Sequence, residues 1–449
     1  MNIPARIRIA WNALLATLWF IPTLLVVSCA TLAVVLVQIS PRIDPAVLEK
    51  FPRLFGASPE SARGMLVAIA GSMITVAGVT FSITIVAVTQ ASAQFTPRIL
   101  RNFMRDRPSQ IVLGGLTGVF IYCLVVLRTI RGTEALSFVP PVAVLVGFLL
   151  AGVGIALLIW FIHHIAEALQ ASSIILRVSN DAVAAIDRLF PAQVGDPAAR
   201  RAHPDAPGAA AWRPLRARRS GYIQWIDGDR MISIARDAHA VLRMERGVGD
   251  FVVEGVVLAS IAPMGLPASA DIPASTGSTS DDELAAAIDR AHTIGGFRTV
   301  GQDAAFGVRQ LADIALRALS PGINDPTTAI NCIDYLGVVL SRAAAREPEP
   351  LWRADGGVLR LIGRSTTFEH MVDEGLGDIR RYADGHLFVL ERLIDTARIV
   401  GDAARNTPRR ECLVRELEAI VEHSAPTIRR DVERARLIDR ARRALADLA

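Results

Sequence analysis

Four long apolar stretches crowd into the first 162 residues, and nothing else in the chain constrains its fold as strongly. They run over 13–39, 65–89, 111–127 and 139–162. Each is close to the roughly 20 residues a helix needs to cross the hydrocarbon core of a bilayer. An unpaired backbone N–H or C=O in lipid costs several kcal/mol, so segments of this kind are expected to be helices that satisfy their own backbone. None contains Asp or Glu, which argues against a proton relay or a carboxylate cation site at mid-membrane. Trp11, Trp19 and Trp160 lie near the ends, where an indole keeps its ring in the interface. Arg6 and Arg8 ahead of the first stretch mimic a secretion signal, but the apolar run continues past Cys29 to Ile39. A retained helix is therefore expected.

Composition narrows the chemistry. Of 48 basic residues one is lysine, Lys50, and the rest are arginine. That removes the phosphate-loop lysine, the Schiff-base lysine and the lysine that carries biotin or lipoate. The net charge of +4 is spread over mixed signs, so nucleic acid is not an expected partner. The eight histidines and four cysteines form no Ser–His–acid order, no Cys–His cluster and no two-histidine metal helix. We expect no catalytic residues, cofactor or metal site, and no enzyme. Cys29 and Cys123 fall inside spans; Cys332 and Cys412 read as small core residues.

With the N-terminus in the cytoplasm, Arg6, Arg8, Arg98, Arg101, Arg105 and Arg107 lie inside, against Arg42, Lys50, Arg53, Arg63, Arg128 and Arg131 outside. The balance is even, but the tight group Arg98, Arg101, Arg105 and Arg107 and a tail with lone cysteines favour both termini in the cytoplasm. In the second stretch Gly71, Thr75, Gly78, Ser82 and Thr89 share one helix face. Small residues let helices approach closely in lipid, so this face either packs in a bundle or oligomer, or lines a pore. The arginines that follow sit either at a pore mouth or on anionic lipid.

The expected fold class is a mainly α integral membrane protein, followed by a cytoplasmic α+β region with a small β module and a helical domain. The expected divisions are a four-helix membrane domain (1–162), a helical extension of the fourth span (163–190), a linker (191–220), a small β-rich module (221–261), a flexible linker (262–280) and a helical domain (281–449). Where the fourth span leaves the membrane, His163, His164 and Glu167 read as an interfacial collar. Within the helical domain Asp303, Arg309, Asp313, Arg317, Asn324 and Asp325 gather around a helix–turn–helix. Arg309, Asp313 and Arg317 are spaced four apart, which lets them pair along one face. The cluster is either a polar network that fixes the hairpin or a ligand site built from Asp303, Arg309, Asn324 and Asp325.

The stretch from Gln302-Asp303-Ala304-Ala305-Phe306-Gly307 through Arg309 to Pro321-Gly322-Ile323-Asn324-Asp325-Pro326 resembles the hallmark of a bacterial membrane-protein family known as domain of unknown function 2254. The resemblance extends to 70–82, to Gln94-Phe95-Thr96-Pro97-Arg98, to Arg101-Asn102-Phe103-Met104-Arg105-Asp106 and to Phe161-Ile162-His163-His164-Ile165. It implies four transmembrane helices and a soluble domain in a bacterial inner membrane, with no established activity. Two functions are compatible with these residues. The first is a homo-oligomeric passive channel or transporter for ions or small solutes, gated by its cytoplasmic domain. The second is a membrane-anchored structural or sensory protein whose soluble domain binds a ligand or partner. The expected partners are the lipid bilayer and further copies of the chain.

Overall fold

The structure, a computed structural model, describes residues 17, 19–40, 58–94, 106–133, 136–168, 170–189, 196–197, 212–263, 281–346, 351–404 and 407–448. It divides into two compact units, Met1–Ser173 and Ile174–Ala449.

The first unit contains α1 (Phe20–Ile39), α2 (Pro59–Gln94), α3 (Arg107–Leu127), the hairpin β1 (Arg131–Thr133) and β2 (Leu136–Phe138), and α4 (Pro141–Ala168). These four helices are long and apolar enough to cross a membrane. With 36 residues, α2 is about 54 Å long, well beyond the roughly 30 Å of a hydrocarbon core. The centre of the unit is α3. It buries Val112, Leu116, Val119, Tyr122, Cys123 and Val126 against Ala62, Leu66, Ala70, Met73 and Ala77 of α2. Lipid gives helices no hydrophobic reason to associate, so close backbone approach and interhelical hydrogen bonds must hold them. Gly114 and Gly118 provide the approach to α1: a Cβ on Gly114 would stand 2.7 Å from Pro22 Cα, and one on Gly118 2.8 Å from Cys29 Sγ. The buried Tyr122 hydroxyl donates to the Ala143 carbonyl at 2.7 Å, and Arg63 donates to the Ile130 carbonyl at 3.0 Å.

The expected continuous helix over 163–190 is interrupted. After α4 ends, the Gln170 amide donates to Glu167 O and the Ser173 amide to Gln170 O, and these three-residue turns break the four-residue ladder. A separate helix, α5 (Ala171–Leu189), follows. Its apolar stripe of Ile174, Ile175, Val178, Ala182, Ala185 and Ile186 is buried.

The second unit continues with β3 (Asp196–Pro197), β4 (Arg213–Arg216), β5 (Gly221–Ile226), α6 (Gly228–Asp237), β6 (Ala240–Met244), β7 (Phe251–Val252), β8 (Val257–Pro263), α7 (Asp281–Ala291) and β9 (His292–Gly295). Then come α8 (Ala304–Ala318), α9 (Pro326–Ala344), β10 (Trp352–Asp355), β11 (Val358–Ile362) and α10 (Phe368–Val372). A π-turn (Asp373–Gly377), α11 (Asp378–Tyr382), α12 (Leu387–Ala403), α13 (Thr407–Ala419), a second π-turn (Ile420–Ser424) and α14 (Asp431–Leu448) complete it.

One sheet has the order β3-β10-β11-β6-β8-β4, with β11 and β6 parallel and the other neighbours antiparallel; a second has the order β7-β5-β9. Both contribute to one core around Ile223, Met231, Leu242, Leu258, Ile261 and Ile288. The β region is thus wider than the expected 221–261. Strands β3 and β4 lie in the expected linker 191–220, and β9, β10 and β11 lie in the expected helical domain. Their partners are far away in sequence, so local pattern alone does not place them. The exception is the β10–β11 turn, where Gly356 and Gly357 take φ of +58° and +79°, as a two-residue hairpin turn demands. Of the expected flexible linker 262–280, residues 264–280 lie outside the described residues.

Candidate functional site

Asp303 caps α8, accepting from the Phe306 amide at 3.0 Å, and its two carboxylate oxygens take Nε and Nη2 of Arg298 at 2.9 and 3.1 Å. Its side chain is almost wholly buried. Burial pushes its carboxyl above the usual range, while the Arg298 guanidinium pulls the other way. A loop presses on this pair at Gly249, where φ is +92° and a Cβ would stand 2.4 Å from Asp303 Oδ2. Only glycine fits there, on both counts.

Two turns along α8, Arg309 donates from Nε to Asp313 at 2.8 Å and from Nη1 to Asp378. Asp378 also accepts from Arg381, which reaches Asp373 as well. Arg380 donates to the buried Glu416 at 2.7 Å; burial, opposed by the Arg380 charge, raises the Glu416 carboxyl. The first π-turn carries this network. The sequence reads as one helix over 368–382, but the extra residue of the π-turn shifts everything after it by about 100° around the axis. Gly375 lets the turn close on α8, since a Cβ there would lie 2.9 Å from Val308 Cγ1. Glu374, in the same turn, has one carboxylate oxygen buried with no hydrogen-bond partner. Its carboxyl is raised by burial, against the charges of His370, Arg298 and Arg309.

The grouping expected around the helix–turn–helix therefore divides. Arg309 and Asp313 join the network, and Asp303 joins Arg298. Asp325 stands at the other end of α8, whose 15 residues span about 22 Å. There it caps α9, accepting from the Thr328 amide at 3.0 Å and from its hydroxyl. The Thr328 hydroxyl holds the Asp325 carboxyl below its usual value. Asn324 is exposed and adopts a left-handed φ of +50° between the two helices. Arg317 is exposed near the end of α8. Asp303, Arg309, Asn324 and Asp325 thus do not converge on one ligand. Arg298, Glu374, Asp378, Arg380 and Glu416 escaped the sequence reading, because their partners lie on other turns and other helices.

In the membrane unit, the face of Gly71, Thr75, Gly78, Ser82 and Thr89 points away from the other helices. All five are exposed, and nothing lies within 4 Å of a Cβ placed on Gly71 or Gly78. At about 100° per residue, this stripe is roughly 160° from the buried one. The Thr75 and Thr89 hydroxyls donate to backbone carbonyls of their own helix, Gly71 O and Val86 O, both at 2.8 Å.

The expected collar separates too. His163 and Glu167 are exposed and 3.3 Å apart. His164 instead meets both oxygens of Asp106 at 2.9 and 3.0 Å and stacks on Trp160. Asp106 caps α3 by accepting from the Ser109 amide and hydroxyl at 3.2 and 2.6 Å. The Asp-Arg-Pro run at 106–108 is a legible cap signal, whereas the His164 contact is not. Arg107 is exposed; Arg98, Arg101 and Arg105 lie outside the described residues.

Among the described residues, no three His, Cys, Asp or Glu side chains are placed to hold a metal ion. The four cysteines form no disulfide. Burial pushes the Cys332 thiol up, and raises Cys412 to about 11. These thiols are poor nucleophiles at neutral pH.

Comparison with known proteins agrees with the four long apolar helices. The family described as predicted membrane protein (DUF2254) matches residues 16–398. An uncharacterised protein of Mycobacterium bovis is 33% identical over 394 residues, covering 87% of this chain and 73% of that protein. An uncharacterised protein of Mycobacterium tuberculosis matches with the same identity and coverage. No solved structure matches the chain. With a family match over most of its length and apolar helices to suit, the chain belongs to the DUF2254 family of predicted membrane proteins.

Proposed function

We propose that the protein is a homo-oligomer that passes ions or small solutes through a path lined by α2. It would sit in a bacterial inner membrane with both termini and the soluble unit on the cytoplasmic side, the soluble unit acting as the gate. The observation that carries this reading is the outward face of α2. A helix that buries one stripe in its own protomer and leaves Gly71, Thr75, Gly78, Ser82 and Thr89 uncovered has a second face to offer to other copies. The Thr75 and Thr89 hydroxyls donate to their own helix, and their remaining lone pairs could accept from water in such a path. The arginines Arg98, Arg101, Arg105 and Arg107 after α2 would raise the local anion concentration at its mouth.

Reconstitution of the purified protein in liposomes tests this. Chloride flux exceeding potassium flux, and both exceeding empty liposomes, is the expected result. No flux above empty liposomes across a range of pH and salt overturns the channel.

A second reading, an anchored protein whose soluble unit binds a ligand or partner, is favoured by the charged network around the first π-turn. An oligomeric structure separates the two. A continuous aqueous path along Thr75, Ser82 and Thr89 supports conduction, and a sealed or lipid-filled axis supports the anchor.

A further inference from the structure

An open cleft of about 400 Å³ in the soluble unit is lined by Arg380, Arg381, Asp384, His423 and Ser424. We infer that it binds a small, freely diffusing molecule through a phosphate group. This assignment is independent of whether the membrane unit conducts.

The argument begins with Arg380. Its Nε is fixed by the buried Glu416 at 2.7 Å, and its side chain is only 12% exposed. Its two terminal nitrogens have no protein partner among the described residues, and Arg380 lines the cleft. A guanidinium held by one edge presents the other as a rigid two-pronged donor, the geometry that recognises an oxyanion. Arg381, the second guanidinium, is held by Asp373 and Asp378. Those two carboxylates are thereby engaged, and Asp384 is the one acid lining the cleft.

The opposite wall is the second π-turn, which supplies the His423 imidazole and the Ser424 hydroxyl. Guanidinium, imidazole and hydroxyl donors on two walls suit a tetrahedral group with three outer oxygens better than a flat carboxylate. Asp384 is then placed to accept from a hydroxyl or amine of the same ligand. The walls are tied together, since the Gly385 amide donates to Thr427 Oγ1 at 2.9 Å and that hydroxyl donates to Ser424 O at 2.7 Å. Both walls are built at π-turns (Arg380 just after the first, His423 and Ser424 inside the second), and such turns gather at functional sites. All five lining side chains are polar or charged, so the cleft favours a polar ligand. A lipid headgroup would offer the same oxygens, and the vesicle arm of the test separates it from a soluble phosphate.

The test uses the full chain purified in detergent, with inorganic pyrophosphate as the probe, read by isothermal titration calorimetry and by hydrogen exchange. The expected result is saturable binding, with protection confined to 380–386 and 420–427. Arg380→Gln should weaken it by at least tenfold, and His423→Gln with Ser424→Ala by about three- to tenfold. Because Arg380→Gln also removes a buried ion pair, the His423 and Ser424 changes carry the test if that variant fails to fold. Three results would overturn the inference: no saturable binding at millimolar pyrophosphate, protection elsewhere in the chain, or unchanged affinity in the His423→Gln and Ser424→Ala double variant. Binding to vesicles of phosphatidic acid in the absence of binding to pyrophosphate would overturn the assignment to a soluble ligand.

Discussion

Replacing Glu416 by alanine should cost the second unit more than replacing Asp313 by alanine, although each change removes one carboxylate from an arginine. The difference lies in what the arginine keeps. Arg380 and Glu416 are 12% and 10% exposed, and Arg380 has no second carboxylate among the described residues. Removing one partner of a buried pair strands the other charge, at about 3–5 kcal/mol, the lower end applying where, as at Arg380, an open cleft lets water reach it. Arg309 loses Asp313 but keeps Asp378, and it is partly open to water. Its loss is nearer that of one charged hydrogen bond, about 1.5–2 kcal/mol. For a unit of this size each kcal/mol moves the melting point by about 2–4 °C. The expected falls are therefore about 6–12 °C for Glu416→Ala and about 3–8 °C for Asp313→Ala. Differential scanning fluorimetry of the full chain in detergent reads both, using Trp212, Trp225 and Trp352 of the second unit as reporters. Equal falls, or the larger one for Asp313→Ala, would refute the reasoning that a second partner shields Arg309.

Gly114→Val should lower yield and melting temperature, because its new side chain meets the backbone at Pro22; Gly71→Leu and Gly78→Leu should leave the protomer intact but change the oligomer size on blue native gels. Unchanged size for both leucine variants would mean that this face makes no contact between copies. Glu374→Gln tests the buried carboxyl in the first π-turn, which faces His370, Arg298, Arg309 and Asp303. A carboxyl raised on folding stabilises the fold below its unfolded value near 4.5, and loses that contribution as pH rises through the folded value. Glutamine does not titrate, so the variant should gain on the wild type in melting temperature from pH 4 to pH 8. A constant offset across that range contradicts the reading.

Much of the second unit was legible wherever the signal was local. Asp325 followed by Pro326 reads as a helix start, and it is one. The residues 222–226 and 240–244 read as strands and lie in β5 and β6. Other signals were local but ambiguous. Residues 368–382 have a helix's periodicity throughout, and a π-turn conserves hydrogen bonding while breaking that period for a single turn. Strands such as β4 and β9 were missed because a strand of four residues carries little pattern of its own.

The sequence by itself determined that four segments are long and apolar enough to cross a membrane. Lipid accepts only backbone that satisfies itself, and length and apolarity measure that property without reference to any neighbour. It likewise determined which residues of α2 share a face, because the helix period is fixed. The tertiary structure alone decided that this face looks outward while Gly114 and Gly118 make the close contacts. It alone decided that His164 answers Asp106, 58 positions away, and that Arg309 is shared by Asp313 and Asp378. Charge pairing and glycine contact depend on which surfaces meet, and a one-dimensional pattern states what a face offers but not what is placed against it.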